Sequence, residues 1–146
     1  MGRCERVASL SVDGLDDLML SLEEIAAIPD DVAQAMLDAE AQVVEEAQIA
    51  QGMAMGVYDT GDTLRSIRRG RMKRTKEGGR AVYVTPQGVN DKGERNAAVA
   101  FMNEYGVPSR RIPARPFIAT ANAAAVDPAV AEAEKVYDEW LKSKGL

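Results

Sequence analysis

Histidine is absent from this 146-residue chain, cysteine occurs once, at Cys4, and aromatic residues make up only 5% of it. Without an imidazole there is no histidine-based zinc site, acid–base catalyst or Ser-His-Asp arrangement, and a single cysteine cannot close an internal disulfide. Most common hydrolase mechanisms are thereby excluded. No apolar run approaches the roughly 20 residues that a membrane-spanning helix needs. The opening stretch MGRCERVASLSVDG has no apolar centre, so no secretory signal is read and the chain is expected to be made and kept in the cytosol. Glycines near positions 61 and 78 lack the spacing and the lysine of a phosphate loop. Asp59 and Asp62 flank a turn, where two carboxylates without further ligands read as turn and capping residues rather than a cation site. No catalytic, metal-binding or cofactor-binding residue, and no small-molecule substrate, is expected.

What the chain does have is an ordinary balance of 28% charged and 46% apolar residues, in a length that fits one domain spanning 1–146. The charge is unevenly placed. Residues 1–50 carry 12 acids against Arg3 and Arg6, a net of −10, whereas residues 51–80 carry 3 acids against 8 bases, a net of +5. An acidic end and a basic stretch favour self-association, or an anionic partner for the basic part.

Along the chain, Leu10 and Val12 alternate with serines like a short edge strand. Asp13 then serves as an N-cap for helical spacing at Leu15, Leu18, Leu22 and Ile25, so 13–56 is expected to be helical. A restart at Pro29-Asp30-Asp31 opens a long helix whose apolar stripe is read at Val32, Met36, Ala39, Val43, Ala47, Ala50 and Ala54, with Gly52 and Gly56 ending it. A turn at 58–63 leads to a basic β-hairpin over 64–86, and 86–96 reads as a polar loop. Residues 97–105 fit either a helix, with Phe101 and Tyr105 at i, i+4, or a short buried strand, and a strand yielding to a helical turn at Asn103 is favoured. A C-terminal helix is expected over 117–143, its N-terminus reset at Asp127-Pro128. The fold class is α+β, with the long N-terminal helix and the C-terminal helix packed on a small antiparallel sheet.

The most constrained stretch is 101–118, FMNEYGVPSRRIPARPFI. Pro108, Pro113 and Pro116 fix φ, and Gly106 can adopt positive values. This predicts a rigid surface loop anchored in the core by Phe101, Tyr105 and Phe117, with Glu104, Arg110 and Arg111 exposed for contact.

The order of elements and the motifs Thr60-Gly61, Leu64-Arg65-Ser66-Ile67, Asn103-Glu104-Tyr105-Gly106 and Pro113-Ala114-Arg115-Pro116-Phe117 resemble one family. It is that of the head–tail joining or neck proteins, often labelled tail components, of long-tailed bacteriophages of the HK and lambda type and their prophage relatives. Thr60, Gly61, Ser66 and Ile67 keep the family's spacing, and the resemblance covers about residues 10–142. It implies a non-catalytic virion protein that completes the head–tail connection as a ring subunit, with copies of itself and other neck or tail proteins as partners. The basic stretch 65–80, with Arg65, Arg68, Arg69, Arg71, Lys73 and Arg74, is then expected to meet an acidic surface of a neighbour or, nonspecifically, packaged DNA. A small DNA-binding protein using 65–80 is the alternative, and a mobile-element toxin or nuclease a more distant one.

Overall fold

A computed structural model describes residues 8–13, 17–22, 28–57 and 61–145. Its α+β architecture has two layers, a five-stranded antiparallel sheet and a pair of long helices. Strands β1 (Ala8–Asp13), β2 (Asp17–Leu22) and β5 (Arg80–Pro86) follow one another across the sheet. The far edge of β5 is shared by β3 (Ile67–Arg69) and β4 (Lys73–Arg74).

The helix expected from Asp13 is therefore a correction, because 17–22 form β2, in register with Leu18 opposite Val84 and Leu20 opposite Val82. Leu18 and Leu22 fall on the helical 3-4-3 spacing, but with Leu20 between them they also alternate at period two. Over so short a stretch periodicity cannot separate the two, and pairing with β5 decides. Leu15 and Ile25 lie outside the described residues.

Helix α1 (Asp30–Ala54) starts behind Pro29, with Asp30 and Asp31 at the positive end of its dipole. Its buried positions are Ala33, Met36, Leu37, Glu40, Ala41, Val44, Gln48 and Gly52. That face is turned by about one residue, roughly 100°, from the expected stripe. Ala50 and Ala54 are exposed, and of the expected positions only Met36 is fully buried. The helix is covered on two sides, by the sheet and by α4, so the inward face includes Glu40 and Gln48, which a count of apolar residues passes over. Gly52 does not end the helix. It lies within it, where a Cβ would strike the Leu64 side chain and sit 3.2 Å from Phe117; Gly56, at φ 79°, makes the exit.

Helix α4 (Phe117–Ser143) runs through Pro128 without the expected restart. It buries Phe117, Ile118, Ala121, Asn122, Ala125, Ala129 and Ala133 against α1. Gln48 Nε2 donates to Asn122 Oδ1 at 2.9 Å and Gly52 meets Phe117, so the two helices run antiparallel along a seam of small residues.

Two shorter helices complete the chain. After the single turn α2 (Asp62–Arg65), α3 (Asn96–Tyr105) is helical from its first residue, correcting the strand favoured there. Asn96, Ala100 and Glu104, spaced by four, face inward. Asn96 anchors the start by donating from Nδ2 to the Gln87 carbonyl at 2.8 Å.

Candidate interaction surface

The basic stretch forms one bent edge strand. Arg69 pairs with Val84 and Lys73 with Ala81, so the three residues 70–72 face the two residues 82–83 and a bulge at 70–72 absorbs the extra one, with the Gly70 amide donating to the Tyr83 carbonyl at 2.8 Å. Helix α1 covers the inner side of this edge. Glu45 accepts from the Arg69 amide at 3.3 Å and from its Nη1 at 3.2 Å, while Asp30 accepts from Arg74 at 3.2 Å and from the largely buried Arg80 at 3.0 Å. Arg80 also donates to the Ile28 carbonyl at 2.8 Å, and Arg65 pairs with Asp62 at 2.6 Å.

Much of the charge expected to meet a neighbour is thus matched inside the chain by its own acidic helix. The exposed pairs add about 0.2–1 kcal/mol each, so they orient the edge more than they stabilise it. Ile67 and Met72 join the core while Arg69 and Arg74 reach α1, which by strand alternation places Arg68 and Lys73 on the opposite face, with Arg71 in the bulge between them. These three are exposed and have no ion-pair partner among the described residues.

The turn that feeds this edge is structural. Gly61 takes φ 81°, the buried Ser66 hydroxyl donates to the Thr63 carbonyl at 2.6 Å, and Ile67 is buried. Thr60 lies outside the described residues.

The stretch 101–118 is ordered by contacts that reverse several expectations. Glu104 is not an exposed contact residue. It is buried, and its two oxygens accept from the Ile118 and Ala119 amides at 2.9 and 3.1 Å. Pro116, at the N-cap of α4, makes no side-chain cap, and the first turn of α4 holds no acid. Glu104 therefore supplies from another helix the capping oxygens and the negative charge that this terminus needs. Its position was legible in the Asn96/Ala100/Glu104 spacing, once the segment is read as helix.

Phe101 and Tyr105, conversely, are not core anchors. They lie on the outer side of α3, 53% and 50% exposed, with ring centroids 4.8 Å apart; of the three aromatics only Phe117 is buried. Past Gly106, Val107 pairs with Ile112 around a 3-10 turn at Pro108–Arg110, and Arg111 closes that turn at φ 57°. The return through Pro113, Ala114, Arg115 and Pro116 is stitched back by Arg115 through both its backbone and its side chain. The Arg115 amide donates to the Asn103 carbonyl at 2.6 Å, and its Nη1 donates to the Gly56 carbonyl at 3.2 Å, bringing a cation to the C-terminal end of α1. Arg110 and Arg111 remain exposed without an ion-pair partner among the described residues.

Replacing Glu104 by alanine is expected to remove about 2–3 kcal/mol of stability, since two buried amides lose a charged acceptor. Glu104→Gln, which keeps one acceptor, should lose about half as much. Urea denaturation of the two variants measures this. Equal losses would mean that the side chain acts by filling space.

No family model, curated protein or solved structure matches this chain. Its site is thus defined by geometry: two exposed aromatic rings and two arginines without ion-pair partners among the described residues, held on a braced backbone, and a second group of three exposed cations along the outer edge strand and its bulge. Among the described residues no group of three or more Cys, Asp or Glu is placed to hold a metal ion. Such an assortment is suited to binding a surface.

Proposed function

We propose that the chain is a structural subunit of the head–tail connection of a long-tailed bacteriophage or prophage, assembling with copies of itself as a ring and with other neck or tail proteins. It has no catalytic role in this reading, and it ends in the virion after synthesis in the bacterial cytoplasm. The observation that carries the reading is the way the two motifs at 103–106 and 113–117 lock together. Glu104 of one holds the helix that the other begins, and Gly106 lies against Ala114. A loop this braced presents Phe101, Tyr105, Arg110 and Arg111 at low conformational cost, as an assembly surface requires. Deleting the gene from the phage or prophage that encodes it should yield filled heads and free tails that fail to join, with joining restored by the chain supplied in trans. Intact infectious particles from the deletion would overturn the reading.

A second reading has its own observation. Arg68 pairs with Thr85 and Lys73 with Ala81 across the sheet, which with Arg71 in the bulge makes one basic edge flanking Tyr83. Such an edge is suited to the phosphates of duplex DNA without base readout. Filter binding of nonspecific duplex should then weaken steeply with salt and lose about one unit of salt slope for each of Arg68, Arg71 or Lys73 removed. Absence of binding at low salt rejects it.

A further inference from the structure

Every exposed residue of α3, namely Ala98, Phe101 and Tyr105, is apolar or aromatic. The one charged side chain of this helix, Glu104, is turned inward to cap α4. An amphipathic helix on the rim of a domain ordinarily turns its polar side to water; α3 does the reverse. Ile112, 38% exposed, adds an apolar side chain on the adjoining loop, which returns to pair with Val107 just past α3, and Arg110 and Arg111 precede it in that loop. Arg111 adopts left-handed φ at 57°, where glycine or asparagine would be less strained, at a backbone cost of about 1 kcal/mol.

The same chain carries the complementary surface. In the last turns of α4, Glu134, Asp138 and Glu139 are exposed without ion-pair partners among the described residues, Lys135 being taken by Glu132 at 3.0 Å. Glu134 and Asp138 are one helical turn apart and border the half-buried rings of Tyr137 and Trp140, whose centroids are 6.0 Å apart. An aromatic pair beside two arginines is thus answered by an aromatic pair beside acids. These surfaces cannot meet within one molecule. Phe117 begins α4 beside α3, and Glu134 lies 17 residues further along that helix, about 25 Å away.

We infer that Phe101 and Tyr105 of α3, with Arg110 and Arg111 of the turn that follows it, dock on the Glu134/Asp138 end of α4 in a second copy of this chain. The contact is heterologous, since each copy keeps one unused surface of each kind, and it propagates into a ring or an open array according to the rotation between copies. It deepens the ring reading above and rests on it, by naming the two surfaces through which subunits would join.

The experiment is sedimentation of the full chain over about 5–500 µM, the range in which a weak, partly electrostatic interface of standard size is populated. The wild type should exceed the mass of one chain. The variants Phe101→Ser/Tyr105→Ser, Arg110→Glu/Arg111→Glu and Glu134→Lys/Asp138→Lys should each raise the midpoint concentration at least about tenfold with unchanged circular dichroism. All six side chains are exposed, so a folded variant is expected in each case. Mixing the two charge-reversed variants should restore assembly that neither shows alone. Association that persists undiminished in all three variants overturns the named surfaces while leaving a ring built through other contacts. A wild type that stays monomeric throughout overturns the inference too, and the particle-joining phenotype then judges the ring reading by itself.

Discussion

Glu40→Leu is expected to raise the free energy of unfolding by about 3 kcal/mol at pH 8 and by about 1 kcal/mol at pH 5. Glu40 sits in the middle of α1 with none of its surface exposed, and neither carboxyl oxygen has a hydrogen-bond partner among the described residues. Burial alone pushes its carboxyl from 4.5 up to about 8. The unfolded chain releases this proton near pH 4.5, and the folded chain holds it to about 8. Between those values the folded state binds the extra proton, so stability declines as pH rises through the window and levels off above it. Leucine, similar in size and without a charge to desolvate, removes that slope. Glu40→Gln should flatten the slope as well, but gain less, because it leaves a buried amide without partners. Denaturant titrations of the wild type and the two variants at pH 5, 6.5 and 8 decide the matter. Curves for the wild type and Glu40→Leu that stay parallel across the range would show that water or a neighbouring donor reaches the carboxylate.

Glu40 also shows where reading by pattern stops. The long helices, the strand at 80–86 and the turns at Gly61 and Gly78 were legible because periodicity, capping acids and turn residues agree locally. The inward face of α1 was not. Val32, Val43, Ala47 and Ala54 make a convincing stripe, yet contact with both a sheet and α4 turns Ala33, Leu37, Ala41 and Val44 inward, with Glu40 and Gln48 among them. In β2 the leucines satisfy two periodicities at once, and pairing with β5 selects one. At 96–105 the inward side was misread. Phe101 and Tyr105 share one side of the segment and read as anchors because they are aromatic, yet the side of Asn96, Ala100 and Glu104 is the one that turns inward, so the three residues exchange roles. The positive φ at Gly106, by contrast, was legible from the glycine itself, although the expected loop over 101–118 is confined to 106–116, between α3 and α4.

Gly106→Ala is expected to cost about 3 kcal/mol of stability, and Gly106→Val more, lowering the melting temperature of this 146-residue domain by about 10 °C. At φ 74° and ψ 173° Gly106 occupies a region that only glycine populates. A Cβ there would lie 2.7 Å from the Ile112 carbonyl oxygen, 2.8 Å from the Ala114 amide nitrogen and 3.1 Å from the Pro113 carbonyl carbon. All three are backbone atoms of the returning chain, which is fixed by the Arg115 to Asn103 hydrogen bond and by Glu104 on the next helix. No side chain can swing aside, so the loop must open and the α4 cap loosens with it. Gly88 is the control. Its φ is 74° as well, but nothing lies within 4 Å of its Cβ position, so Gly88→Ala should lose only the backbone penalty of about 1 kcal/mol. Arg110→Ala marks the opposite limit, an exposed residue whose loss should change stability by less than about 0.5 kcal/mol while weakening assembly. Thermal melts of the three variants, run beside sedimentation, separate the roles. If Gly106→Ala and Gly88→Ala melt alike, the close approach at Ala114 is not what holds the loop, and if Arg110→Ala melts as low as Gly106→Ala, the loop's backbone and its arginines do not divide the work between fold and contact.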